Sequence, residues 1–298
     1  MSKKTKENIT QALARLEGFI ADRNFYEALQ IYDFVFKRYN SDGEPEKADD
    51  IAKAGALVFI ENNEFTNATT LAIQLIESLE TRSEITDGER AMIKEITDAM
   101  TEKIGDNAKP LVDLLKVAVR WSAGGDASGR GGDPALNAAL GAAHARRGHL
   151  ADACRHYCHA APADMPAYAA LLRRYLALGY ASEADAFAAR AVLHLLALRR
   201  PEAATALAAA LQGDGWSLGQ PVWHAAAFLA ALCGLEGPLE RYQTAFKLAQ
   251  DRYDASLRRD PELCKYVHKI GRTYFNVTPP EGAEENDLFS NIMKMLAS

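Results

Sequence analysis

Asn24-Phe25-Tyr26-Glu27-Ala28, Glu64-Phe65-Thr66-Asn67-Ala68, His149-Leu150-Ala151-Asp152-Ala153 and Tyr180-Ala181-Ser182-Glu183-Ala184 repeat one pattern: a turn, then a polar residue followed by a small alanine that opens a helix. Their starts lie 40, 85 and 31 residues apart, and the gap of 85 holds two degenerate repeats of about 42. A recurring small residue at a helix start allows two helices to approach closely, as in tetratricopeptide-like hairpins, whose units bury their faces only against neighbours.

Working outward from these breaks, the apolar residues recur with a period near 3.6, and convincing two-residue alternation appears nowhere. Ile9, Leu13, Leu16 and Ile20 form the first stripe, and Ala28, Ile31, Tyr32, Val35 and Phe36 the second. Comparable stripes run through Ala48 to Phe59, Ala68 to Leu79, Met92 to Met100 and Leu111 to Ala118. Short polar breaks between them predict antiparallel hairpins. The expected fold is all-α: one superhelical solenoid over residues 1–298, with a glycine-rich loop at 122–133 and a short extended loop near 212–220.

Length alone suggests two domains, because 298 residues at about 150 per domain is two. Unbroken helical periodicity replaces that estimate with a continuous array whose halves differ in surface. Residues 1–121 hold 16 Lys+Arg against 22 Asp+Glu, whereas residues 122–298 hold 18 of each, so the whole net charge of −6 sits in the first half. An acidic balance argues against the phosphate attraction that dominates nucleic-acid binding and favours a basic protein partner. The lysine-rich start lacks an apolar h-region, and Val222 to Leu235 is too short to span a bilayer, so a soluble, cytosolic protein is expected.

Enzymatic readings fail one by one. The run Gly124-Gly125-Asp126-Ala127-Ser128-Gly129-Arg130-Gly131-Gly132 lacks a following Gly-Lys-Ser/Thr and a preceding strand, so it reads as a loop. Asp49-Asp50 resembles a magnesium-binding pair, but Lys53 stands where the third acid would be, and the pair reads as a solvated helix face. Cys154, Cys158, Cys233 and Cys264 read as reduced thiols. Four histidines surround the first two, yet Cys154 and Cys158 share a helix face that His156 does not, and no paired CxxC is present. Neither a catalytic constellation, nor a metal site, nor a cofactor is expected.

At the C-terminal side, Asp260 and Pro261 fit the N-cap and first position of a helix carrying Tyr266, Val267, Ile270, Gly271, Tyr274 and Phe275, which stops at Asn276-Val277. Four features in order carry a resemblance: Phe25-Tyr26-Glu27-Ala28 with Arg38-Tyr39; Gly55-Ala56-Leu57; Arg120-Trp121-Ser122 ahead of the glycine loop; and Ser256-Leu257-Arg258-Arg259-Asp260-Pro261 with Ile270-Gly271 and Tyr274-Phe275. Together they resemble the Golgi to ER traffic protein 4 family, the helical scaffolds of the guided-entry pathway for tail-anchored membrane proteins.

The resemblance implies a non-enzymatic adaptor. Its N-terminal half, residues 1–121, would hold the targeting ATPase, and residues 134–298 a ubiquitin-like-domain adaptor that recruits a client-loaded cochaperone. Carried over by position, Tyr26, Glu27, Arg38 and Tyr39 are the candidates for the ATPase-facing surface, joined by Glu77 and Glu80 from an acidic stretch. Trp216, Leu218, Trp223 and Phe228 are the candidates for the adaptor, as bulky anchors beside the loop at 212–220. The stripe Leu288, Phe289, Ile292, Met293 and Leu296 is expected to dock on the last hairpin. The alternative is a helical-repeat subunit of a large regulatory complex of the proteasome-lid kind, which would carry a C-terminal winged helix.

Overall fold

The computed structural model describes residues 3–82, 84–105, 107–124, 131–213 and 220–278. Among them the chain is all-α, with two short 3-10 turns and no strand. It forms two compact units, Met1–Ala161 and Pro162–Ser298. The first holds α1 (Lys3–Ala21), α2 (Phe25–Ser41), α3 (Pro45–Glu61), α4 (Phe65–Glu80), α5 (Asp87–Lys103), α6 (Lys109–Ser122), α7 (Pro134–Arg146) and α8 (Leu150–Tyr157). The second holds α9 (Met165–Leu176), α10 (Ala184–Ala197), α11 (Pro201–Gly213), α12 (Pro221–Cys233), α13 (Leu239–Leu257) and α14 (Pro261–Phe275).

The turns between these helices share one geometry. Arg23, Gly43, Asn63, Gly148 and Arg199 take φ of 56, 75, 63, 77 and 61°, the left-handed conformation that ends a helix abruptly. In each case the next amide donates to a carbonyl five residues back: Asn24 to Phe19, Glu44 to Tyr39, Glu64 to Phe59, His149 to His144 and Arg200 to Leu195, at 2.8–3.0 Å. The following helix then starts with Ala28, Ala48, Ala68, Ala153 or Ala204 donating to the carbonyl of Asn24, Glu44, Glu64, His149 or Arg200. All five alanines have 0% exposure, so each marks the place where two helices meet most closely.

Three of the four quoted breaks obey this rule, and the one at Tyr180 does not. There a 3-10 turn, Ala181–Glu183, precedes α10, Ala184 is only half-buried, and Leu178 and Tyr180 stand 76% and 77% exposed. The equivalent alanine of the second unit is Ala204, after Arg199. The local letters are alike, but no positive-φ residue is present at the Tyr180 break to fold the chain sharply back.

Register within the first unit is set by side-chain ties about forty residues apart. Gln74 donates to Asp33 at 2.9 Å and joins α4 to α2, while Thr69 donates to the Pro110 carbonyl at 3.2 Å and joins α4 to α6. Arg120 meets Glu80 at 3.4 Å, and Lys53 meets Glu95 at 2.5 Å between α3 and α5. Helices α2, α4 and α6 therefore stack in one row and α3 on α5 in another, which is the physical content of the repeat of about 40.

At the centre of this stack Phe59 receives Phe25 and Tyr32 edge-on, at centroid distances of 6.2 and 5.6 Å. Gly55 lies one turn before it; a Cβ there would come within 2.7 Å of both the Tyr32 ring and Leu71, so α3 reaches its neighbours only because this residue has no side chain. The flanks of the glycine-rich loop are tied as well. The Ser122 hydroxyl donates to the Val119 carbonyl and accepts the Asp133 amide, both at 2.8 Å.

Asp49 corrects the expectation of a solvated acidic face. Its side chain is buried and accepts from Arg82 at 2.6 Å, and Arg82 also donates to Glu89 at 2.7 Å; only Asp50 faces solvent. Burial pushes the Asp49 carboxyl above its ordinary value despite Arg82. Burial acts in the same sense on Glu89, but the Thr86 amide of its capping box and the Arg82 guanidinium outweigh it and hold that carboxyl low.

In the second unit α10 is apolar nearly all round, as a central helix must be; Ala188, Ala189, Val192, Leu193, Leu195 and Leu196 are all buried. Helices α9, α11, α12 and α14 pack around it. The expected start of α14 is observed: Asp260 accepts from the Glu262 amide at 2.9 Å, and Arg190 of α10 pairs with the same carboxylate. Its end is Asn276 in the left-handed conformation. Tyr274 donates to the Leu196 carbonyl at 3.2 Å, and Phe246 stacks on Phe275 at 4.9 Å, over Gly271.

Candidate partner-binding surfaces

The ATPase-facing candidates occupy two helices of one layer in the first unit. The tie between Asp33 and Gln74 sets α2 and α4 side by side in the same direction, with Arg38 and Tyr39 in the last turns of one and Glu77 and Glu80 in the last turn of the other. Arg38, Tyr39, Glu77 and Glu80 therefore share one end of the layer. Tyr26 and Glu27 sit twelve and eleven residues before Arg38, about 16–18 Å away along α2 at about 1.5 Å per residue. The six residues form two groups.

Exposure separates them further. Tyr26 is 69% exposed on the first turn of α2, whereas Tyr39 is half-buried against the core. Arg38 is exposed and lies 3.6 Å from Asp42, one turn on. Glu77 is exposed, and Glu80 leans towards Arg120. The end carrying Arg38 and Glu77 is thus mixed in charge and solvated, suited to ionic pairing that salt can screen. Phe34, at 46% exposure, adds an apolar element to the outer side of α2 that the stripe reading passed over.

Of the four adaptor-facing candidates, Trp216 and Leu218 lie outside the described residues, as does the stripe from Leu288 to Leu296. Trp223 is 2% exposed and belongs to the core of the second unit, so its part is to hold α12 in place rather than to touch a partner. The tryptophan faces inward because Val222, Trp223, Ala225, Ala226 and Leu229 make up the buried face of α12. Phe228 is on the other face and is 41% exposed.

Around Phe228 the structure gathers apolar residues from two consecutive helices. A groove between α12 and α13 is lined by Phe228, Leu232, Tyr242 and Ala245, with Glu240 and Arg241 at its rim. Leu235, Leu239 and Leu248 stand 59%, 41% and 64% exposed on the same pair of helices and the turn between them. Scattered exposed leucines are ordinary, but a run of them on two consecutive helices is the chemistry of a surface for an amphipathic partner segment.

No helix among the described residues is long and apolar enough to cross a membrane. The Cys154 and Cys233 thiols are each pushed up to about 12 by burial, which suppresses the thiolate that nucleophilic chemistry requires.

Comparison with known proteins agrees with this architecture. The chain is 27% identical to the human Golgi to ER traffic protein 4 homolog, over 98% of this chain and 88% of that protein. It is also 27% identical to the Xenopus tropicalis homolog, over 99% and 89%. The crystal structure of C. therm. Get4 superposes with a TM-score of 0.74, covering 98% of this chain and 96% of that one at 18% identity, which shows a shared fold. The family model of Golgi to ER traffic protein 4 matches residues 43–296, and the chain belongs to that family.

Proposed function

We propose that this protein is a non-enzymatic cytosolic scaffold in the post-translational targeting of tail-anchored membrane proteins to the ER. Family membership over residues 43–296 is the observation that carries the reading, and it brings with it a role in Golgi to ER traffic. The finer assignment is that the acidic stretch 1–121 engages the targeting ATPase and residues 134–298 engage a ubiquitin-like-domain adaptor, which delivers the cochaperone and its client. Two surfaces of opposite chemistry support it. A solvated, charged end with Arg38, Tyr39, Glu77 and Glu80 lies in the first unit, with Tyr26 and Glu27 on a second patch of α2. An apolar groove around Phe228 lies in the second.

A scaffold of this kind works by raising the effective concentration of client near the ATPase, without any reacting group of its own. The test is calorimetry of the full-length chain against each partner. ATPase binding should weaken steeply with salt and depend on nucleotide, as ionic contacts to a switching protein require. Adaptor binding should be insensitive to both and show a negative heat-capacity change. Absence of ATPase binding, or binding that is indifferent to salt, overturns the assignment of the charged end.

A further inference from the structure

The turn between α7 and α8 holds a feature that scaffolding does not use. His144 is in the last turn of α7, His149 is at the N-cap position of α8, and Asp152 is in its first turn. One ligand-capable atom from each lies within 4.8 Å of the others. His144 is 3% exposed, and neither of its ring nitrogens has a hydrogen-bond partner. A buried imidazole with both nitrogens unsatisfied costs free energy that an ion on one of them would recover.

The surroundings keep these rings in the ligating form. His156 stacks on His144 with centroids 5.6 Å apart and planes within 1°, and His149 lies tilted to the same ring at 5.9 Å. The Asn137 amide nitrogen donates to the Asp133 carbonyl at 3.1 Å, which leaves its oxygen to accept from His156 Nδ1 at 3.2 Å and sets that ring's tautomer.

We propose that His144, His149 and Asp152 bind one divalent transition-metal ion of the zinc class across the α7–α8 turn. Two imidazoles and a carboxylate are borderline ligands that suit zinc and not the oxygen-seeking magnesium or calcium. Ligand atoms of a tetrahedral site lie about 3.3 Å apart. The constellation therefore closes by rotation of the exposed His149 and of Asp152, which must leave Arg155, now 3.1 Å away. Cys154 and Cys158 take no part. The ion would clip the end of α7 to the start of α8.

The experiment is a titration of chelator-stripped, untagged, full-length protein with ZnCl2 by calorimetry, with MgCl2 as control and thermal unfolding as a second readout. One zinc per chain with micromolar or tighter affinity, a raised Tm, and no response to magnesium are expected. His149→Ala and Asp152→Asn remove one exposed and one half-buried ligand, and each variant's zinc-induced Tm shift is measured against its own metal-free Tm. Each should weaken zinc binding by more than about 100-fold, beyond the range that changes outside the ligand set produce. Absence of both heat and Tm shift in the unaltered protein, or undiminished binding by both variants, overturns the site.

Discussion

Arg82 holds two carboxylates at once, and removing it leaves Asp49 buried and unpaired. Arg82→Met should cost about 3 kcal/mol in urea denaturation, the low end for breaking a buried pair, because the guanidinium itself retains 28% exposure. Lys94→Met, which deletes an exposed one-turn pair with Asp98, should cost less than about 0.5 kcal/mol. His144 and His156 give a separate prediction. Burial lowers both, His156 to about 4, so the unfolded chain takes up protons first as the pH falls. Their contribution is complete above the ordinary histidine value of about 6.5 and is lost as pH drops from there towards 4. Unfolding free energy measured across that window should fall, and His156→Gln should flatten the slope. Arg82 is not marked as special in the sequence, and His144 stands there only as one of four histidines around Cys154 and Cys158, because the roles of both depend on which groups the fold sets beside them.

Among helices, Gly55 and Gly18 form a matched pair. Both lie inside helices, where glycine to alanine ordinarily stabilises by about 1 kcal/mol. Nothing lies within 4 Å of a Cβ at Gly18, whereas a Cβ at Gly55 meets the Tyr32 ring and Leu71 at 2.7 Å. Gly18→Ala should raise stability by about 0.5–1 kcal/mol, and Gly55→Ala should lower it by about 1–2 kcal/mol as overpacking outweighs propensity. Denaturant midpoints of the two single variants test the contrast, and stabilisation by both would refute the close packing. The helices themselves are readable from spacing: α2, α3 and α4 start three residues before Ala28, Ala48 and Ala68, the alanines that head their stripes. The break at Tyr180 opens a helix at Ala184 as its letters predict, but through a 3-10 turn, since small and polar letters do not by themselves encode a left-handed one.

For the whole molecule the prediction concerns selectivity. Arg38→Glu should weaken the ATPase complex by about tenfold or more and spare the adaptor complex, while Phe228→Asp should do the reverse; truncated interface anchors commonly cost 1–2 kcal/mol or more. Both variants alter exposed positions, so circular dichroism should be unchanged. Equal loss of both complexes by either variant would indicate general unfolding and remove the assignment of separate surfaces. Tyr26→Ala probes the second patch on α2. A loss as large as that of Arg38→Glu would show that the ATPase contact spans about 18 Å of the layer.

Helix content, the repeat near forty residues, the cap at Asp260 and the acidic character of residues 1–121 follow from local order alone, because periodicity, capping and charge are properties of neighbours along the chain. Tertiary structure decided which of those residues face out. Trp223 and Phe228 are five positions apart on one helix and both aromatic, yet one is core and the other surface, since α12 turns a single face to α10. Asp49 and Asp50 are adjacent letters with opposite fates for the same reason. His144, His149 and Asp152 come together only when α7 folds back on α8, because a turn brings side chains from two helices to one point and spacing along a chain does not.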